Sequence, residues 1–335
     1  MRTIPYIDIR QTSPVHLVEN HVDQARALIN ASHDTVGLLS KALSVVILPL
    51  GDHYSKKWLI KTGNPYNDEI DQYVNILRIR GVYALNLCYE WGCTSGAYNK
   101  GESVVLTRVL DWAFPALGEN TVVAHQTGQA GDFYNVTWPG MSGIYNAMAP
   151  GRFAAAINQA PMRRHNKPFV LDWWKNRLNM REAAGLPPSH LLRKVFETAA
   201  DYQEAKRMLK KEEIALPVTF VLTGTKAGEG CVIERTEKDA EIREIRNGRV
   251  CAANHFESRF NEIGYGWRAR PIDSQGRMRL ANRLSVDEIK DDFRWFKKPI
   301  ANSHTRLVMM ADAAAGKLSV MGTAGEKPVT EVFRL

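Results

Sequence analysis

A thiol, a guanidinium and a carboxylate fall within one short stretch: Cys93, Arg108 and Asp111. Cys93 stands in Trp91-Gly92-Cys93-Thr94-Ser95-Gly96, and the other two in Thr107-Arg108-Val109-Leu110-Asp111-Trp112. Between them Asn99-Lys100-Gly101-Glu102 has the composition of a turn. The flanking runs, Thr94–Tyr98 and Ser103–Val109, read as paired strands. With the turn centred on Lys100 and Gly101, residue 93 pairs close to residue 108. The hairpin then places a cation beside the thiol, and Asp111 just past the strand end. A neighbouring positive charge lowers a thiol's pKa and favours the nucleophilic thiolate. The same residues also fit a small buried cysteine and a structural Arg–Asp pair.

A chain of 335 residues has room for one large α/β domain or two smaller ones. It is 44% hydrophobic and 24% charged, as soluble globular proteins are. Four scattered cysteines, none in a C-x-x-C pair, make neither a disulfide framework nor a zinc site. No metal or cofactor is expected. No segment is apolar and long enough to span a bilayer, and the N-terminus has no apolar signal core. A cytoplasmic, reducing setting follows as the expectation. The net charge of +8 gathers in Arg163-Arg164-His165, in Lys206-Arg207 with Lys210-Lys211, and in Arg268, Arg270, Arg277 and Arg279. No nucleic-acid motif accompanies these groups; they read as solvated faces, or as attraction for anionic substrates or headgroups.

The elements that must hold the hairpin come in blocks. Residues 14–32 have helical apolar spacing, with Ser13 as cap before Pro14. A second helix is expected from Asp34 to Leu48; the apolar Val36–Leu50 stretch is either core or a lipid-facing surface. A third starts at Asn67, with Asp68 and Glu69 in its first turn, and stops at Gly81. Strands are expected at Thr121–Gln126, Phe133–Trp138 and Arg152–Asn158, and helices between Leu171 and Lys211. Further strands follow at Pro217–Thr223, Cys231–Thr236, Ile242–Ile245 and Arg249–Ala253, the last two joined by the hairpin signal Asn247-Gly248. A helix from Ser285 towards Trp295 and a strand pair, Leu307–Ala311 with Leu318–Met321, complete the chain. Blocks of helices and strands argue for an α+β fold with antiparallel sheets. Trp138, Trp173 and Trp174 read as core, and Trp112 as a candidate wall for an acyl group.

Leu85-Asn86-Leu87-Cys88-Tyr89-Glu90 followed by Cys93-Thr94-Ser95 resembles the nucleophile segment of the acid ceramidase and N-acylethanolamine acid amidase family. Ala149-Pro150-Gly151-Arg152-Phe153 with Ile157-Asn158, Gly228-Glu229-Gly230-Cys231-Val232-Ile233, and Ala253-Asn254-His255 resemble later landmarks of that family, over residues 60 to 285. The resemblance implies an N-terminal-nucleophile hydrolase with a four-layer αββα sandwich, related to choloylglycine hydrolases and penicillin acyltransferases. It implies a cut between Gly92 and Cys93, giving fragments 1–92 and 93–335 that stay associated as one αββα domain. Cys93 would then be nucleophile and N-terminus together. Arg108 and Asp111 match family active-site positions, and Asn254 matches the oxyanion-hole asparagine. Arg277 matches the last arginine, with Arg279 as its alternative. His255 is not needed by that mechanism.

The implied chemistry is hydrolysis of a linear N-acyl amide, fatty-acyl, N-acylethanolamine-like or ceramide-like, through a thioester. A free α-amine, with an ordinary pKa of about 8, serves as base. Gln159 departs from the family, standing where ceramidase-like members carry a glutamate, and disulfide cysteines and a secretion signal are not apparent. Two other functions fit the same residues: acyl transfer to an amine, and non-catalytic lipid binding through Val36–Leu50.

Overall fold

The computed structural model describes residues 1–34, 38–87, 91–267 and 272–335; the side-chain surroundings of 32–48, 169, 170, 173, 177, 181 and 267 lie outside that description. After a short strand β1 (Tyr6–Asp8) come five helices, α1 (Pro14–Asn20), α2 (Val22–Asp34), α3 (Leu38–Lys61), α4 (Asn67–Leu77) and α5 (Val82–Asn86). The single helix expected over 14–32 is broken at His21, which closes the first helix on Val18 while its carbonyl opens the second. Pro14 supplies the first position, but the Ser13 hydroxyl makes no cap bond. α3 continues through Pro49 well past Leu48. The Val36–Leu50 surface lies outside the described side chains except for Pro49 and Leu50, the latter half exposed. α4 begins at Asn67 as its acidic first turn predicts, but ends at Arg78, whose left-handed φ of 52° breaks the spiral. Gly81 is not the stop; it precedes α5.

Seven strands follow: β2 (Gly92–Lys100), β3 (Ser103–Asp111), β4 (Val122–Gly128), β5 (Gly131–Thr137), β6 (Asn146–Ala149), β7 (Phe153–Gln159) and β8 (Met162–Arg163). Then come α6 (Phe169–Glu182), α7 (Pro188–Thr198) and α8 (Tyr202–Lys211). The rest is β9 (Val218–Thr223), β10 (Gly230–Arg235), β11 (Ala240–Glu244), β12 (Arg249–Ala252), β13 (Tyr265–Trp267), α9 (Ser274–Ala281), β14 (Thr305–Asp312), β15 (Lys317–Ala324), β16 (Lys327–Pro328) and β17 (Phe333–Arg334).

One sheet runs β1-β4-β5-β6-β7-β9-β10-β11, antiparallel except where β1 joins β4. The other runs β12-β2-β3-β14-β15, with β16 and β17 on its last strand. The two stack face to face. Ala154 and Ala156 on β7 are fully buried on the face that carries Asn158, and small side chains there let the sheets approach. α7 and α8 cover the first sheet, and α9 covers the second at β2 and β12. This is an αββα sandwich.

Two departures bear on the site. Asn247-Gly248 makes the expected tight turn, with φ of 52° and 81°, and closes one antiparallel bridge, Arg246 with Arg249, but the pairing stops there and β11 and β12 part. β11 pairs with β10 in one sheet and β12 with β2 in the other, so the turn carries the chain between sheets. The helix expected from Ser285 is only a 3-10 turn, Val286–Glu288. The helix in this region is α9, whose cap is Asp273 Oδ1 accepting from Gly276 N at 2.9 Å.

Polar pins tie the helices before Cys93 to the sheets. His190 on α7 sits between Asn64 Nδ2 and Ser142 Oγ, each at 2.8 Å. Asn64 Oδ1 is taken by the N–H of Tyr66, so His190 Nδ1 is the acceptor and Nε2 donates to Ser142. Ser142 Oγ in turn donates to Asn86 Oδ1 at 2.9 Å. Burial and the charge on Arg193 push His190 down to about 3, so the ring is neutral. Val18, Leu28, Ile70 and Leu77 from the helices share one apolar core with Cys93, Ala97, Phe153 and Val221.

Candidate active site

Register sets the site. Lys100 pairs with Ser103, so Cys93 lies opposite Leu110 and Arg108 opposite Ser95, two residues from the pairing expected. The turn is centred on Gly101 and Glu102 rather than one residue earlier. A shift of two keeps every side chain on its face, so Arg108 still points to the same side as Cys93. Both face the space between the sheets, with Ala97, Leu106 and Leu110. Asp111 lies on the opposite face of the strand, with Val105 and Val109 and under α9.

On the inner face Cys93 is fully buried, its Sγ 3.7 Å from the Ile157 carbonyl. Arg108, also fully buried, donates from Nη1 to Asn158 Oδ1 at 2.7 Å and approaches Ser95 Oγ at 3.4 Å. Its Nη2 has no hydrogen-bonded nitrogen or oxygen partner. Burial pushes the Cys93 thiol above its ordinary range; Arg108 and the backbone N–H of Gln159 pull the other way without overcoming it, and Asp111 adds to the rise. The expected resting thiolate is therefore corrected: desolvation outweighs the adjacent guanidinium, and Cys93 rests as a neutral thiol.

The other face carries the carboxylate. Asp111 Oδ1 accepts from Thr305 Oγ at 2.8 Å, while Oδ2 accepts no hydrogen bond and lies 3.4 Å from Arg277 Nη1. Arg277, fully buried on α9, donates from Nη1 to the Cys93 carbonyl and to Thr94 Oγ1 at 2.9 Å. Its Nη2 donates to Asn254 Oδ1 at 2.7 Å and to the Ile272 carbonyl at 3.0 Å. Arg279 is exposed and turned away, so Arg277 is the arginine at this site. Arg277 accordingly leaves the basic surface group; Arg268 and Arg270 lie outside the described residues.

Asn254 follows β12 and bridges the two faces. Its Oδ1 accepts from the Cys93 N–H at 2.7 Å, and its Nδ2 donates to the Gln159 carbonyl at 2.8 Å. Two donors against Oδ1 fix the amide orientation. That bond uses one of the two Nδ2 hydrogens and leaves the other for an oxyanion, while the backbone N–H of Gln159 faces the sulfur. The Gln159 side chain accepts from the Trp91 N–H at 3.0 Å. Gly92, opposite Asp111, leaves space no other residue would: a Cβ there would lie 3.1 Å from Asp111 Cβ and 3.2 Å from Oδ2.

Three polar residues to which the sequence reading gives no role at the site complete it. Asn158 ties Arg108 to the Ala252 and Ala253 carbonyls, each at 3.1 Å, Thr305 holds Asp111, and Ser274 meets Asn254. Each is an ordinary strand or helix-end residue until the sheets are stacked. Trp112 and Trp138 are buried, and Trp112 packs with Trp91 and Phe114 at ring separations of 5.1 and 5.0 Å. Trp174 is half exposed rather than core, because α6 docks through Asp172 and Asn176 on its other side; the Trp173 side chain lies outside the described residues, as do Cys88, Tyr89 and Glu90. A groove of about 680 Å³ under α6 and another of about 650 Å³ beside Thr62 and Glu213 do not reach Cys93.

Over residues 171–315 the chain matches the family model described as acyl-coenzyme A:6-aminopenicillanic acid acyl-transferase. It is 32% identical to an acid ceramidase of Heterocephalus glaber over 184 residues, 54% of this chain and 45% of that protein. Against the acid ceramidase of Mus musculus it is 26% identical over 189 residues, 55% and 46% of the two chains. The chain thus spans about half the length of the curated relatives it matches. Its fold is similar to that of a Caenorhabditis elegans ortholog of N-acylethanolamine-hydrolyzing acid amidase, with a TM-score of 0.52 and 16% identity, covering 66% of this chain and 93% of that one. These likenesses support the family resemblance read from the sequence and the sandwich expected from it.

Proposed function

We propose that this chain is an N-terminal-cysteine amidohydrolase of linear N-acyl amides, formed when the bond between Gly92 and Cys93 is cut into fragments 1–92 and 93–335. The observation that carries the reading is the set of groups around the Cys93 nitrogen and sulfur. Asn254 Oδ1 accepts from that nitrogen at 2.7 Å, and Asp111 Oδ2 lies on the Gly92 side without a hydrogen bond. Once Gly92 leaves, those oxygens hold the new α-ammonium. Deprotonated, the α-amine takes the thiol proton as Sγ attacks the acyl carbon, which matches a nucleophile that rests neutral. The C–N bond breaks, the amine departs with a proton, and water hydrolyses the thioester. Arg108 stabilises negative charge at sulfur, and the Gln159 N–H, which faces that sulfur at rest, is proposed as an oxyanion donor. Asn254 Nδ2 offers its second hydrogen as the other proposed donor while the first stays on the Gln159 carbonyl.

The same thiol cuts the chain: Sγ attacks the Gly92 carbonyl, the Gly92–Cys93 C–N bond breaks as the thiol proton passes to the freed Cys93 nitrogen, and water hydrolyses the Gly92 thioester, restoring the thiol. Cutting also opens the site in this reading. Trp91 closes the space beside Trp112 and Tyr145 and is tethered onward through Gly92; release of that tether frees room for an apolar acyl chain. Fatty-acyl amides with ethanolamine-like or sphingoid amine halves are the proposed substrates, and the relatives named above motivate them. A reducing, cytoplasmic setting belongs to the reading because Cys93 must remain a free thiol. The test is release of fatty acid from N-acyl amides by the wild type and by Cys93→Ala. Loss of release only in the variant is expected; equal release by both overturns the assignment.

Acyl transfer is the second reading, favoured by the acyl-transferase family match over residues 171–315. Adding hydroxylamine or a primary amine separates the two. Amide exchange outrunning acid release supports transfer, and acid alone supports hydrolysis.

A further inference from the structure

Beside the nucleophile, and continuing from Ser274 away from Asn254, lies a hydrogen-bonded chain of three side chains. Ser274 Oγ is 2.6 Å from His255 Nδ1, and His255 Nε2 is 2.9 Å from Glu257 Oε1. The Asn254 backbone N–H donates to the same Ser274 Oγ at 2.8 Å. Protons in this chain have one consistent order for a neutral ring. An amide N–H can only donate, and a carboxylate can only accept. His255 therefore keeps its proton on Nε2 for Glu257 and offers the Nδ1 lone pair to Ser274. Ser274 donates to His255 and accepts from Asn254. Its hydroxyl is thus oriented from both sides, and it is almost fully buried.

The far end is anchored as firmly. Glu234 on β10 is fully buried, and its carboxylate accepts from the N–H groups of Glu257 and Ser258 at 3.1 and 3.0 Å and from Arg243 Nε at 3.0 Å. The chain therefore runs from a rigid strand of one sheet to the segment that presents Asn254 to Cys93. Ser274 is also the first residue of α9, one turn before Arg277. The cap of that helix is Asp273, so the Ser274 hydroxyl is not needed to start it.

We propose that Ser274, aimed by His255 and Glu257, is a positioning residue that sets Asn254 and Arg277 at their separation around Cys93. It touches neither substrate nor sulfur; it acts through the Asn254 backbone and the start of α9. The proposal rests on the reading of Cys93 as the nucleophile given above.

Steady-state hydrolysis of an N-acyl amide, intact mass and melting temperature are measured for wild type, Ser274→Ala, Ser274→Thr and His255→Ala. Ser274→Ala is expected to lower kcat about tenfold, the factor one neutral hydrogen bond can supply. KM stays within about twofold, since groups that bind the ground state are untouched. Ser274→Thr, which keeps the hydroxyl, restores most of kcat. His255→Ala moves kcat in the same direction. The double variant is no worse than Ser274→Ala, as expected for residues acting as one unit. A wild type that is cut and active, while Ser274→Ala keeps its kcat, overturns this proposal alone. So does a loss that Ser274→Thr fails to rescue. Should Ser274→Ala not fold, an unchanged kcat in His255→Ala overturns it. A wild type neither cut nor active removes the reading of Cys93, and this proposal with it.

Discussion

Replacing Arg193 by methionine tests how the helices before Cys93 are held to the rest of the molecule. Arg193 on α7 donates from Nη1 and Nη2 to the two oxygens of Glu69 on α4, at 2.6 and 2.8 Å. Its Nε reaches Glu197 Oε1 at 2.8 Å, and Nη1 also reaches the Ser142 carbonyl at 2.8 Å. The guanidinium lies 4.1 Å from the centre of the Tyr66 ring. In Arg193→Met the Glu69 carboxylate stays, 13% exposed, keeping the Tyr73 hydroxyl at 2.6 Å. Stranding one charge of a buried pair costs about 3–5 kcal/mol. An unfolding entropy of about 2.1 cal/mol/K per residue, about 0.7 kcal/mol/K for the whole chain, turns that into a melting drop of about 4–7 °C. Scanning calorimetry on the uncut Cys93→Ala background reads it directly. Arg193→Lys keeps the charge, loses the fork and falls about half as far. Replacing Glu69 by leucine together with Arg193→Met recovers most of the loss, because the carboxylate that remains, Glu197, is 27% exposed and keeps the Tyr66 hydroxyl. A drop under about 1.5 °C for Arg193→Met would put the pair in the range of surface ion pairs and refute the reasoning.

Gly92→Ala brings a methyl within 3.2 Å of Asp111 Oδ2. Cutting before Cys93 should slow by at least about tenfold with the fold retained, an expectation at the scale of one misplaced group; a mass time course checks it. Arg277→Leu leaves Asp111 without its cation and Asn254 with one donor fewer, so cutting and hydrolysis should both be lost, whereas exposed Arg279→Leu should change melting by less than about 0.5 kcal/mol equivalent. Burial holds Cys93 above the ordinary thiol range. In uncut protein its alkylation should therefore be slower than that of free cysteine at neutral pH and climb as pH rises past about 9. A thiol held up in this way binds its proton more tightly folded than unfolded. Its share of stability is complete below about pH 8.5 and is lost as pH rises through the folded value, so the urea midpoint of Cys93→Ala should fall less steeply above pH 9 than that of wild type. Alkylation independent of pH would contradict the desolvated thiol.

Local pattern made the hairpin of β2 and β3 legible, because turn residues and alternation are short-range signals. It also placed α4, α7, α8 and the closing pair β14 and β15. Register slipped by two because Lys100-Gly101 and Gly101-Glu102 are equally good turn centres, and only the stacked sheet chooses between them. Asn247-Gly248 carried the strongest hairpin signal, yet it joins strands of different sheets; a turn motif fixes the bend, not the partner. α9 escaped notice since Ser274-Gln275-Gly276-Arg277 has a glycine in its first turn and no apolar stripe. The resemblance supplied Arg277 and Asn254, which no spacing rule connects to Cys93. That Asp111 faces α9 instead of the sulfur follows from strand alternation once the register is known. Desolvation of the thiol, which reverses the expected ionisation, depends on the second sheet and has no local signature at all.

Mass and N-terminal sequence of the purified protein test the central claim most directly. Two chains, one ending at Gly92 and one beginning at Cys93, held together through the pins at Glu69, Asn64 and Asn86, are the predicted result. A single uncut chain that nevertheless hydrolyses N-acyl amides, with Cys93→Ala equally active, would contradict it.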